Sequence, residues 1–342
     1  MAIENVNEII KLGVDSYFGK VEKYSNDEAS DTLRKALIDA NGGSTIMDAR
    51  ALRDGKCNGV FSIVEQILAA TVIDSLAQSD FFNAMVDYRN VAAGDQMQFD
   101  VEDANLFVVS KVADGTQAVR RQRLVGEQVV PIETSVHIIR IYEELRRVLA
   151  GRVDFNKMID TVTRSFNQDI LNQVYDLWIN ATQADLGGAA YFPATGNTYS
   201  EATLLTLIEH VEAAAGGAKS TIIGTKMALR ALIPSIQGWD QKNVVDAQGY
   251  VGKFYGSDVI VIPQRHRVGT TNFVFDDKTL HIVAGAGADS KPIKFVYEGN
   301  PLIIHRDASQ NMDLTQEFVY AETYGLGLVT SGNAGIGKYQ FI

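Results

Sequence analysis

The sequence predicts an α+β fold, and three observations lead there. Met158, Val162, Phe166, Ile170, Val174 and Trp178 recur every fourth residue, the signature of one long amphipathic helix. Met97, Phe99 and Val101 alternate with Gln98, Asp100 and Glu102, the period-two pattern of a strand with one apolar face. Beyond Ser200, helical and strand patterns follow one another in short runs. The bulk numbers agree: 342 residues suffice for two ordinary domains or one core with extensions, and 46% hydrophobic with 21% charged residues describes a folded chain.

Taken in order, the first 60 residues hold a single short helical signal, Asp31 to Ala40, stopped by Asn41-Gly42-Gly43. Polar stretches such as Lys20 to Glu28 surround it, so this segment is expected to be an arm that needs another surface to lie on. Ile63, Val64, Ile67, Leu68, Val72, Ile73 and Leu76 then follow helical spacing. The window from Gly59 to Ala77 is the most apolar, yet it contains Glu65 and Asp74, and no charge-free run reaches the ~18 residues a membrane span needs. The opening Met1-Ala-Ile-Glu-Asn5 lacks the layout of a secretory signal, which leads to the expectation of a cytoplasmic protein.

The strand at 97–101 continues through Leu106 to Val109 and meets Asp114-Gly115, a dipeptide suited to the positive φ angles of a tight turn. The returning strand runs on to Ile132, so a long hairpin is predicted with opposite positions summing to 229. On that register Arg123 faces Leu106 and Arg121 faces Val108, while Asp100, Glu102 and Asp103 fall opposite residues 126–129. Arg120, Arg121 and Arg123 are therefore not neutralised within the hairpin. A two-stranded hairpin is marginal by itself, so this one must rest on something.

The helix that follows is predicted from an Asp154 N-cap to Ala181, 28 residues and about 40 Å long at about 1.5 Å each, long enough to act as a spine. Leu204, Leu205, Ile208 and Val211 mark a helix ending at Gly216-Gly217. Thr221 to Gly224 and Val259 to Pro263 read as strands, with a short helix from Lys226 to Ile233 stopped by Pro234. Phe273 to Phe275 and Leu280 to Val283 read as a hairpin about Asp276-Asp277-Lys278, and Glu317 to Thr330 as a further strand. One compact domain is expected between 199 and 295.

Several motifs can be set aside on physical grounds. Gly332 to Lys338 has the G-x-x-x-x-G-K spacing of a phosphate loop, but Tyr339 replaces the Mg²⁺-binding hydroxyl and no helix can follow. It is expected to be a glycine-rich tail. His137, His210, His266, His281 and His305 lack metal-ligand spacing and are expected to be structural. Glu143 and Glu144 diverge by about 100° on a helix, so they cannot flank one substrate as an acid/base pair. Cys57 is the only cysteine, which excludes an intramolecular disulfide. No cofactor, metal or catalytic residue is expected. A net charge of −11 argues against general nucleic-acid binding, and no aromatics interleave the arginine block. A solvated charge run is the bland reading of that block. An acidic surface of another subunit is the favoured one, because the hairpin lacks a core and arginine suits interfaces.

Arm, hairpin, spine helix and mixed domain, in that order, resemble the tailed-bacteriophage major capsid proteins of the Hong Kong 97 fold. Val86 to Asp95, Phe107 to Gln117, Arg120 to Leu124, Ile141 to Leu145, Ala150 to Asn156 and Tyr324 to Gly332 are similar to capsid sequences. The resemblance spans roughly 30–335. It implies an N-terminal arm over 1–60, a P domain opening over 61–92 and an extended E-loop over 93–133. The P domain would continue over 134–198 with its spine helix at 154–181, followed by an A domain over 199–295 and returning C-terminal strands over 296–342. It further implies a structural protein, not an enzyme, forming hexamers and pentamers of an icosahedral virion head, assembled in a bacterial cytoplasm. Portal and separate scaffold proteins would be its partners. Double-stranded DNA would be enclosed without specific binding, and no membrane would be involved. Arg120, Arg121 and Arg123 would then be inter-subunit contacts. An encapsulin-like compartment shell and, more remotely, a nucleotide-binding enzyme are the alternatives.

Overall fold

A computed structural model describes residues 6–21, 26–47, 49–101, 128–142, 147, 150–152, 155–183, 185–186, 188–193, 199–235, 249–267, 269–285, 291–306, 317–329 and 335–341. The chain begins with helices α1 (Val6–Tyr17), α2 (Asn26–Ala40), α3 (Ala49–Arg53), α4 (Asn58–Ala77) and α5 (Asp80–Met85). Helix α4 is apolar on nearly all sides because it is enclosed: α1 and α2 pack on it from one direction, the spine helix and the sheet from others. Its one buried-side carboxylate, Glu65, accepts a hydrogen bond from the Ile303 backbone N–H at 2.6 Å.

The spine, α6 (Phe155–Ile179), follows the strands β1 (Val86–Val91), β2 (Gln98–Val101), β3 (Gln128–Pro131) and β4 (Ser135–Tyr142). All six of its every-fourth-residue positions from Met158 to Trp178 are buried. The expected Asp154 cap lies outside the described residues. After α6 come α7 (Glu201–Ala214), β5 (Ser220–Thr225), α8 (Lys226–Leu229) and a 3-10 turn (Arg230–Ser235). The strands β6 (Lys253–Phe254), β7 (Ser257–Ile262), β8 (Thr279–Ala284), β9 (Ile293–Arg306), β10 (Glu317–Leu328) and β11 (Gly335–Gln340) complete the chain.

These strands form two main sheets. The first has the order β1-β9-β10-β4, with β1 parallel to β9 and the remaining pairs antiparallel. Its inner face lays Phe295, Phe318 and Tyr320 against the helices. Phe82 meets Phe295 at 6.0 Å, Phe61 meets Phe318 at 5.9 Å, and Phe166 meets Tyr320 at 5.3 Å between ring centres. Such edge-on aromatic pairs add to the burial itself.

The second sheet has the order β11-β8-β5-β7-β6. Ile223, Ile262, Val283 and Ile336 on one face join the core around α6, and Ile222, Leu280, Ile282 and Tyr339 on the other pack on α7. This sheet is therefore covered on both sides, and every residue of β8 is buried, so the strand has no solvent-facing alternate positions.

Three sequence expectations change here. The segment before residue 60 does not wait for a foreign surface. Ala29, Leu33 and Leu37 are buried, and α1 and α2 lie on α4 and α6 of the same chain. Phe273 does not fold back on β8. It forms an isolated bridge to His266, while β8 pairs with β5 and β11, whose long-range ladders outcompete a local hairpin. The glycine-rich end is a buried strand rather than a tail. Gly335 is required in it because a Cβ there would run into the Val211 carbonyl. The lysine of the apparent phosphate loop, Lys338, donates from Nζ to the Ile179 carbonyl at 2.6 Å. It satisfies an orphan carbonyl at the C-terminal end of the spine, where a cation is favoured.

Candidate functional site

The hairpin predicted over 97–132 enters the described structure at its root. β2 and β3 pair antiparallel as Gln98↔Pro131, Phe99↔Val130, Asp100↔Val129 and Val101↔Gln128, each pair summing to 229 as the sequence requires. Arg120, Arg121 and Arg123, together with the Asp114-Gly115 turn, lie outside the described residues.

Three devices fix the root to the first sheet. Phe99 is buried with Ile132, Val296 and Val329 in a small core of its own. Its ring lies 4.8 Å from the Arg89 guanidinium and 5.4 Å from Lys294 Nζ, both favourable to the aromatic quadrupole. Those cations are held by Asp87, whose Oδ2 lies 3.1 Å from Lys294 Nζ and 3.1 Å from Arg89. Asp87 and Lys294 are register partners on β1 and β9 and are almost fully buried, so neither tolerates loss of the other.

The second device is Glu298. Its carboxylate accepts from the Gly94 N–H at 2.7 Å and from the Thr134 hydroxyl, on the two chain segments flanking the hairpin. These two hydrogen bonds, the Thr134 one first, hold its carboxyl below the usual range. The third is Gly325, where a Cβ would collide with the Glu133 carbonyl as the chain leaves β3 across the sheet.

Two surfaces adjoin the root. On the outer face of the sheet, Ile138, Ala321 and Leu302 form one row in register, and Arg140, Val319 and Ile304 form the next. Ile138 is 62% exposed, Val136 64% and Leu302 53%. A cross-strand apolar face open to solvent marks an interaction surface.

On the inner side, where β4 begins, a groove of about 640 Å³ separates β10 from the second half of α6. Leu177, Leu326 and Leu328 line it together with Glu133, Asp176 and Asp185, and among the described residues no lysine or arginine does. Asp185 accepts from the Thr182 N–H and hydroxyl, which hold its carboxyl low. The groove wall is braced by Tyr324, whose hydroxyl donates to Asp169 at 2.7 Å and whose ring stacks on His137 at 3.8 Å. Burial pulls the His137 imidazole down, against the raising effect of Asp169.

Among the described residues no cluster of histidine, cysteine and carboxylate side chains could hold a metal. Cys57 is buried, its thiol donating to Asn41 at 3.1 Å. Of the histidines, His281 lies enclosed between Tyr175 and Trp178. Sequence reasoning located the hairpin root but missed both Glu298 and the groove. Their parts are brought together from strands distant in the chain, and no local pattern announces them.

A four-stranded sheet on a long spine helix, a second sheet and a hairpin rooted on the first sheet are consistent with a fold of the Hong Kong 97 type. The chain belongs to the family described as "SPbeta prophage-derived putative capsid protein YonB", whose model matches residues 7–337. It is a phage-type capsid protein and a structural component of the virion. Among solved structures, the capsid of a native GTA particle is similar with TM-score 0.50 and 10% identity, over 78% of this chain and 89% of that one. The capsid of cyanophage P-SCSP1u is similar with TM-score 0.47 and 12% identity, over 76% and 88%. The SrpI encapsulin of Synechococcus elongatus is similar with TM-score 0.43 and 8% identity, over 76% and 86%. Identities this low speak to the fold alone. No curated protein sequence matches the chain.

Proposed function

We propose that this chain is the major shell subunit of a tailed-phage head, assembling as hexamers and pentamers into an icosahedral shell around double-stranded DNA. The observation that carries this, beside the family, is the bare apolar face of Val136, Ile138, Leu302 and Ile304 next to the hairpin root. A monomer gains nothing from exposing it, whereas a shell subunit covers it with a neighbour. In this reading the helices before residue 60, expected as an arm, join 61–92 and 134–198 in the P domain, with 93–133 as the E-loop, 199–295 as the A domain and 296–342 returning through both. The protein has no enzymatic role, assembles in the host cytoplasm with portal and scaffold proteins, and holds DNA by enclosure. Arg120, Arg121 and Arg123 contact a neighbouring subunit.

Negative-stain electron microscopy with light scattering on the purified protein tests this. Rings, sheets or closed shells of uniform diameter are expected. A species that stays monomeric even with a scaffold candidate present would sink the proposal. Nuclease-protected DNA inside the particles separates a phage head from an encapsulin-like compartment, which would hold a protein cargo instead. Charge reversal at Arg121 and Arg123 is expected to leave soluble capsomers that do not close, and normal shells from that variant would remove the arginines from the interface.

A further inference from the structure

The connection between β7 and β8 is a cationic loop on an acidic chain. From Pro263 to Phe275 it holds Arg265, His266 and Arg267 and no carboxylate, while the whole chain carries a net charge of −11. No ion pair among the described residues engages either arginine, although Arg265 is half-buried. Asp276 and Asp277, which follow the loop, are taken by other partners. Asp276 accepts from the Thr279 hydroxyl, and Asp277 accepts from Thr225 and Gln264. A half-buried guanidinium without a carboxylate calls for an anion from elsewhere.

The loop is held ready for one. Gln264 clamps its base, donating to the Phe275 carbonyl at 3.0 Å and accepting from the Phe275 N–H at 3.1 Å. The Arg267 N–H donates to the Asn272 carbonyl at 2.9 Å, and the Val274 N–H to the Arg265 carbonyl at 3.0 Å. Gln168 of α6 ties the His266 carbonyl to the spine at 2.8 Å. Phe273 is 55% exposed and stacks on His266, with ring centres 5.4 Å apart. Thr270, Thr271 and Asn272 at the tip are exposed as well. Guanidiniums, hydroxyls and a side-chain amide on an ordered loop are groups that bind phosphate oxygens.

We propose that the loop from Gln264 to Phe273 contacts the phosphate backbone of double-stranded DNA through Arg265 and Arg267. The inference rests on the shell-forming reading, which supplies the DNA, and adds one point of contact to enclosure. An acidic subunit repels DNA on average, so any attraction has to be concentrated in one place. Phosphate contacts carry no sequence information, so the loop accepts whatever sequence is enclosed. Repeated in every subunit of a shell, a weak contact of this kind sums to a strong one.

Photo-crosslinking of the full, unassembled chain tests this. The chain carries p-benzoylphenylalanine in place of Phe273 and is irradiated with labelled duplex DNA of mixed sequence. A DNA adduct is expected, its yield falling about tenfold between about 50 and 200 mM salt, the loss for two phosphate contacts. Arg265→Gln with Arg267→Gln is expected to lower the low-salt yield severalfold and to flatten that salt dependence. Arg267→Gln alone, at an exposed position, covers the case in which the half-buried Arg265 is needed for folding. Lys226→Gln, which removes an exposed cation on α8, is expected to change nothing. No adduct, or an adduct indifferent to both arginine variants, overturns the proposal. Adducts to a second copy of the chain in place of DNA overturn it too and make the loop a subunit contact. Because the duplex is added to unassembled chains, shell formation is scored separately by microscopy. Shells without DNA adducts sink the loop contact and leave the shell-forming reading; adducts without shells do the reverse.

Discussion

Glu322 faces the helices from β10 and is 1% exposed. Its Oε1 accepts from the Tyr320 hydroxyl at 2.6 Å, and its Oε2 has no hydrogen-bond partner among the described residues. Burial pushes the carboxyl up to about 7, only partly opposed by that hydroxyl. The native state therefore keeps a proton that the unfolded chain releases above about pH 4.5. This contribution is present below that pH and is lost as pH rises toward 7. The difference is on the order of 3 kcal/mol.

His281 acts in the opposite sense. Complete burial, helped by Lys338, pulls its imidazole down to about 3. The unfolded chain takes up a proton below about pH 6.5 that the native state refuses, so this contribution is present above 6.5 and lost as pH falls. Between pH 4.5 and 6.5 the two slopes offset each other. Glu322→Gln is expected to leave a stability that climbs with pH across that window. Urea midpoints of the variant and the wild type, compared at pH 5 and 7, check this. Parallel profiles would show that Glu322 does not titrate there.

Among the elements, the hairpin root depends on how closely residues 131–134 approach β10. A Cβ at Gly325 meets the Glu133 backbone, whereas one at Gly327 meets only the tip of the Ile132 side chain. A side chain can rotate aside, but a backbone carbonyl held over a sheet cannot. Gly325→Ala is therefore expected to cost about 1–3 kcal/mol and Gly327→Ala distinctly less, by the same overpacking logic. Chemical denaturation reads the totals, and amide exchange at Phe99 and Val130 reads whether the root opens. The register at this root was legible in the sequence, because the turn dipeptide and the alternation jointly define it. The clasp of Glu298 was not, since its partners Gly94 and Thr134 are some 200 and 160 residues away.

For the whole molecule, the N-terminal helices are part of the body. Gly13 lets α1 approach α4 so closely that a Cβ there would press on Ile67, and α2 buries Leu33 and Leu37. Removing residues 1–40 uncovers this apolar surface. The shortened chain is expected to lose several kcal/mol or to precipitate, at about 25 cal/mol for each Å² of apolar area returned to water. An unchanged melting temperature would mark the helices as peripheral. Their strength was missed because the sequence there is polar overall. In α2 a narrow stripe at Ala29, Leu33 and Leu37 carries the packing, and a short stripe is easily outweighed by its polar neighbours.

What the sequence determined by itself is local: the period of the spine helix, and the alternation that sets the register at the hairpin root. Each follows from steric and hydrophobic periodicities within a few residues of one another. Tertiary structure alone decided where those elements find partners. It placed the glycine-rich end as a strand whose lysine caps the spine, brought β9 and β1 together so that Asp87 meets Lys294, and opened an acidic groove beside the root. Such pairings depend on the free energy of burying whole faces against each other. That quantity belongs to the assembled core, and no window of sequence contains it.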